Sequence, residues 1–288
     1  METLFGKITE WLKELLVSGT MNNLTSLFDA VNARVGGIAG AVGTTPEAFS
    51  PDIFNMIRQI SETVIMPIAG IILTFIACYE LITLVTDRNN LANLDTWIFF
   101  KWVFKTAIAV LIITNTFNIV MAVFDVGQHV ISQSADIITA ETAVDASTIA
   151  DFKETLEKMD VGPLFGMFLE TFLLHATLEI LSVIIFVIVY ARMIEIYLMT
   201  SLAPIPMATF GSKEKSIIGQ NYFRSLFALA FQGFLIMICV GIYAMLIQSS
   251  SFISQPLGYV WSIVGFTVLL AFTLFRTGSI AKSVFDAH

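Results

Sequence analysis

Glu170, His175 and Glu179 are the residues whose types and spacing come nearest to a metal site. At 100° per residue His175 and Glu179 share a helix face, while Glu170 points away from Glu179. One face then offers two ligands where a zinc site takes at least three from protein. The spacing therefore predicts no metal here, only polar groups near the outer end of a helix that meet water or a neighbouring subunit. Cys78 and Cys239 lie inside apolar runs and read as small buried hydrophobes rather than a disulfide. Catalytic and cofactor-binding motifs are missing as well. There is no nucleophile–base constellation, phosphate-cradling loop, dinucleotide fingerprint or Cys/His cluster, so neither enzyme chemistry nor a cofactor is expected.

Two further sets of residues stand out. Glu80 and the pair Arg192 and Glu195 (i, i+3) sit in or beside apolar stretches. Ionisable groups in such places serve function or join helices, but all three lie toward helix ends, where solvation at the interface is the simpler expectation. Pro204 and Pro206 stand two apart in an apolar segment. Each removes a backbone donor and blocks the preceding turn, so the chain is expected to leave helical geometry there. Such backbone is tolerated at membrane depth only where protein buries it or it lines a cavity. The segment is then either a helix stop followed by a loop at the inner interface or a re-entrant packing element. Pro204, Pro206, Glu80, Arg192 and Glu195 are the candidate packing and assembly residues.

The elements that must position them are membrane helices. Hydrophobic residues make up 56% of the 288 and charged residues 13%, about half the charged share of a soluble domain. A net charge of −8 argues against an autonomous nucleic-acid binder, which needs a basic face. The fold class is an all-α integral membrane protein with about five transmembrane helices, N-terminal amphipathic helices and one Pro-x-Pro break. The predicted spans are 64–85, with Pro67 kinking its outer end; 98–124, opened by the aromatic residues Trp97, Phe99, Phe100 and Trp102, with Lys101 and Lys105 reaching to headgroups; 164–202; 223–248; and 259–275. The 249–258 connection reads as a tight uncharged turn.

Residues 1–63 form an external arm. Within it, Ile8, Trp11, Leu12 and Leu15 belong to an amphipathic stripe at 3–17, to be packed on the protein or laid in the lipid interface. A second helix follows at 21–42, and Ser50-Pro51-Asp52 carries the signals of a helix start. No secretory signal is expected, because Glu10, Lys13 and Glu14 interrupt any apolar region. An external acidic loop, 125–163, joins the second and third spans and holds a short amphipathic helix from Ser147 through Ile149, Phe152, Leu156 and Met159. Nine basic residues against five acids lie on one side of the spans, including Arg88, Lys101, Lys213, Lys215 and Arg276, while the 125–163 loop holds eight acids against Lys153 and Lys158. The positive-inside rule puts the N-terminus outside and the C-terminus in the cytosol of a multi-pass cell-membrane protein.

Asp95-Thr96-Trp97-Ile98-Phe99-Phe100-Lys101-Trp102, and Arg192-Met193-Ile194-Glu195-Ile196-Tyr197 running into Ala203-Pro204-Ile205-Pro206, resemble the TrbL-like family. So do Asn221-Tyr222-Phe223-Arg224-Ser225-Leu226-Phe227-Ala228 and Phe275-Arg276-Thr277-Gly278-Ser279-Ile280-Ala281-Lys282. These are polytopic membrane subunits of conjugative type IV secretion systems, and the likeness is nearest to the compact branch on integrative elements of Gram-positive bacteria. The resemblance implies a channel or scaffold subunit for DNA transfer and not an enzyme. It also implies other conjugation membrane subunits and a VirB4-like cytosolic ATPase as partners. The chain is expected to be a homo-oligomer in the lipid bilayer with transient contact to transferred DNA or protein. The alternative is a secondary transporter or autonomous channel, although five spans with one break do not divide into the repeated halves of many transporters.

Overall fold

In the computed structural model the residues described are 2–86, 96–141, 153–212, 214–249 and 256–287. Arg88, Lys213, Ser147, Ile149, Phe152 and most of the 249–258 turn lie outside them. Among the described residues there is no strand. Four helices there are long and apolar enough to cross a membrane: Pro51–Thr86, Trp97–Thr114, Val161–Leu202 and Ser216–Ile247.

α1 is one helix, Glu2–Gly43, where the sequence predicts two. No proline interrupts residues 2–43, and Gly19, between the two stripes, costs helix propensity without forcing a turn. α2 (Pro46–Phe49) is capped by the Thr45 hydroxyl, which accepts from Ala48 N, and has proline at its first position. α3 (Pro51–Ile60) starts where Ser50-Pro51-Asp52 predicts, although Ser50 makes no side-chain cap bond. A π turn, Ser61–Ile65, leads into α4 (Met66–Thr86). Pro67 has no N–H for the carbonyl one turn back and crowds that turn. The register shifts just before it, with Met66 N donating to Ser61 O five residues back.

The predicted second span is divided. α5 (Thr96–Thr114) and α6 (Thr116–Glu141) are separated at Asn115. Thr114, Asn115 and Thr116 all turn their side chains back onto carbonyls, of Val110, Leu111 and Ile112 respectively. Such local bonds compete with the helical ladder, which still crosses the turn, with Asn115 N donating to Leu111 O at 3.2 Å and Ile119 N to Asn115 O at 3.0 Å. α6 then runs to Glu141, so the first part of the segment read as the 125–163 loop is helical.

α7 (Val161–Leu202) has 42 residues, about 63 Å of helix at 1.5 Å per residue, longer than the ~30 Å hydrocarbon core. After Ala203 come α8 (Pro204–Ala208) and a 3₁₀ turn, Thr209–Gly211. The last two helices are α9 (Ser216–Ser249) and α10 (Pro256–Val284). The predicted fifth span, 259–275, lies wholly within α10.

By packing the chain forms two compact units. The first comprises 1–43, 131–189 and 234–277. Its core centres on Leu24, Leu156, Leu164, Met167, Leu174 and Met237, all at 0% exposure. The second comprises 44–130, 190–233 and 278–288. One of its cores gathers Val120, Met193, Ile196, Met207 and Leu226; a smaller one joins Ala69, Leu73, Ala109, Ile113 and Ala208. Lipid tails are as apolar as these side chains, so close packing and polar bonds hold spans together more than exclusion from water does.

Candidate functional site

The charged and proline positions gather in the second unit, where they tie helices to one another. Lys105 Nζ on α5 donates to both oxygens of Glu80 on α4, at 2.8 and 2.7 Å. Beside them Trp102 Nε1 donates to Ala77 O at 3.1 Å. Glu80 is 19% exposed. It is paired between helices, where each group supplies the opposite charge the other needs in a partly dry place. Single-helix spacing could not show this: the partner lies on a different helix.

Arg192 and Glu195 do not pair with each other. Arg192 is 5% exposed and reaches α9, where Nε donates to Leu229 O at 3.2 Å and Nη2 to Ala230 O at 3.3 Å. Carbonyls already used within a helix keep a second lone pair that can accept them. α6 approaches the same point: a Cβ on Gly127 would stand 3.0 Å from both the oxygen and the Cβ of Ala230. A larger residue there would require the α9 backbone to give by a few tenths of an ångström. Glu195 instead faces Lys282 at 3.4 Å, an exposed pair of small energetic weight.

The Pro-x-Pro segment departs from expectation. The helix is interrupted at Ala203, and α8 restarts with Pro204 as its first residue. Pro206 is its third. The first N–H groups of a helix have no intrahelical acceptor, so proline at these positions costs no bond and its fixed φ suits the start. Hence the prolines end α7 and also open α8. The segment is not a loose interface loop. Ala203, Met207 and Ala208 are at 0% exposure and Pro204 is buried, and α8 packs on α4 and α5. Gly211 continues this contact; a Cβ there would meet Leu73 Cδ1 at 2.8 Å. The Thr209 hydroxyl then accepts from Gly219 N at 3.0 Å, fixing the entry to α9.

Three more ties escaped the sequence reading. Ser61, in the π turn, donates to Thr200 O at 3.5 Å; Tyr222 donates to Met199 O at 2.8 Å; Tyr197 donates to Pro46 O at 2.7 Å. Their only signal was a hydroxyl on a helix, which marks a polar need but not its partner. Arg58 lies over the Phe117 ring at 5.4 Å, with Phe54 edge-on to the same ring.

Elsewhere, Glu170, His175 and Glu179 are not drawn into a ligand set: among the described residues no three of His, Cys, Asp and Glu gather closely enough to hold a metal ion. Cys78 and Cys239 are both free thiols. What these described side chains do is tie helices to one another.

A family model described as TrbL/VirB6 plasmid conjugal transfer like protein matches residues 31–204. That stretch holds the quoted segments around Trp97–Trp102 and Arg192–Pro204; those at 221–228 and 275–282 lie beyond it. No curated protein and no solved structure matches the chain.

Proposed function

The chain belongs to the TrbL/VirB6 plasmid conjugal transfer-like family, and from that membership we propose that it is a channel or scaffold subunit of the membrane complex of a conjugative type IV secretion apparatus. Its four long apolar helices support a multi-pass membrane protein. The observation that carries the structural role is the tying of helices by Glu80–Lys105, by Arg192 on two α9 carbonyls, and by the buried α8 segment. These residues fix geometry without chemistry, as a scaffold requires.

Each core is filled with fully buried leucine, methionine and isoleucine. A path for DNA or protein is read as built between subunits, in a homo-oligomer or with other conjugation membrane subunits. The C-terminus is read as cytosolic beside a VirB4-like ATPase, with the spans within 64–288. Because Pro46 and Ser61 bond Tyr197 and Thr200, near the end of α7 that this orientation puts inside, the arm 1–63 is not external throughout. The integrative-element branch rests on the likeness of the quoted segments alone.

Deletion of the gene from a donor cell tests this reading. DNA transfer is expected to fall to background and to return when the chain is supplied in trans. Transfer at the parental frequency without the gene would sink the proposal and favour the alternative, a secondary transporter or autonomous channel.

A further inference from the structure

We propose that Ile8–Leu15 of α1 is an interfacial anchor, lying in the water–lipid boundary with Trp11 at headgroup level. Ile8, Trp11 and Leu15 are 52%, 62% and 54% exposed, while Leu16, Thr20 and Leu24 on the other side of the helix are buried in the first unit. At 100° per residue the exposed three fall within a sector of about 60°, roughly opposite the buried face.

Two observations set the level of this stripe. α1 runs alongside α7 in the same direction: a Cβ on Gly19 would meet Phe168 at 2.7 Å, and Asn23 donates to Thr171 Oγ1 at 3.3 Å. Ile8–Leu15 therefore stands level with the start of α7 at Val161, and the outward apolar face of that spanning helix begins there with Phe165, at 57% exposure. Meanwhile the flank of α1 carrying Glu10, Lys13 and Glu14 borders a groove of about 620 Å³ shared with Lys153 and Glu157. Lys158 and Glu154 pair in the open nearby at 2.6 Å. One flank of the same two turns is thus wet and charged. The other is apolar and continuous in level with a span, which is the setting tryptophan occupies at membrane interfaces. Lys7, Glu10, Lys13 and Glu14 cancel in charge, so apolar insertion and not attraction to anionic lipid supplies the binding.

The test uses the full chain in phosphatidylcholine vesicles, with Trp97→Phe, Trp102→Phe and Trp261→Phe leaving Trp11 as the only tryptophan. Its emission is expected to be quenched several-fold more by lipid brominated high on the acyl chain than by lipid brominated near the methyl end. Aqueous iodide should quench weakly, and added anionic lipid should change nothing. Strong iodide quenching with no effect of brominated lipid would place Trp11 in water and overturn the proposal. Quenching by neither would show a protein surface, such as a second copy, over it and overturn the proposal equally. Because Trp102 bonds Ala77 O, a second variant keeps that residue: Trp11→Cys with Cys78→Ser and Cys239→Ser, labelled with an environment-sensitive dye. Dye emission shifted toward that of an apolar medium in vesicles supports the anchor, and emission as in water contradicts it.

Discussion

The two packing units are held by different means. In the first, the described helices meet through leucine, isoleucine and methionine, with a few neutral polar bonds such as Asn23 to Thr171 and the Tyr243–Thr267 hydroxyl pair. In the second, similar apolar packing is crossed by charged and directional ties: Lys105 to Glu80, Arg192 to two carbonyls, Tyr197 and Tyr222 to backbone oxygens. Apolar side chains in a bilayer gain little by choosing one apolar neighbour over another, so packing alone fixes register loosely. A buried polar group without its partner is costly, and so it selects one arrangement. The second unit is the more sharply specified, and it holds nearly all of the four quoted segments, while the family match at 31–204 runs over both units.

Arg192→Ala should break this contrast most severely. It removes charge-assisted bonds to Leu229 O and Ala230 O, at about 3 kcal/mol, and should lower both protein level and thermal unfolding temperature in detergent. Arg192→Lys keeps the charge but loses the planar fork, and is expected to recover only part of the loss. An Arg192→Ala protein as stable as the parent would show that the second unit is held by packing alone.

Next in effect is the pair Pro204→Ala and Pro206→Ala. With both N–H groups restored, α7 can continue past Ala203 and draw α8 away from α4 and α5. Insertion, set by hydrophobicity, should proceed, so membrane level stays near normal while DNA transfer fails. Normal transfer would reduce the prolines to helix punctuation.

Glu80→Gln follows. It leaves Lys105 half-buried without its carboxylate, at about 1–2 kcal/mol, less than a fully buried pair because Lys105 is 40% exposed. Exchanging the two, Glu80→Lys with Lys105→Glu, should restore the unfolding temperature; failure of that rescue would deny the pair. The smallest effect belongs to the first unit. Leu174→Met conserves volume at a 0% exposed site and should cost about 0.5 kcal/mol, measured by the same melt.

The long elements were legible because apolar length and proline punctuation act locally. Pro163 and Pro204 bracket 164–202 in the sequence, and the helix is Val161–Leu202. Ser50-Pro51-Asp52 placed the start of α3 correctly. The break at Asn115 was legible in principle, since Thr-Asn-Thr can turn back on its own carbonyls, but hydrophobicity on both sides hid it. Glu80, Arg192 and Glu195 were found as charges out of place, and their partners were not, because each partner lies on another helix: Lys105, the carbonyls of Leu229 and Ala230, and Lys282. Spacing along one helix carries no information about which helix comes beside it. The prolines were identified correctly and their consequence misjudged, since steric rules forbid proline inside a helix but welcome it in a first turn.

This chain is proposed to work as a structural member of a conjugal transfer assembly. Extraction of a tagged chain from donor cells in mild detergent, followed by identification of everything that co-purifies, tests it most directly. Further copies of the chain are expected together with other transfer subunits and a VirB4-like ATPase, as is loss of the ATPase from the Pro204→Ala, Pro206→Ala variant. A chain recovered alone that carries a small solute after reconstitution into vesicles would contradict it.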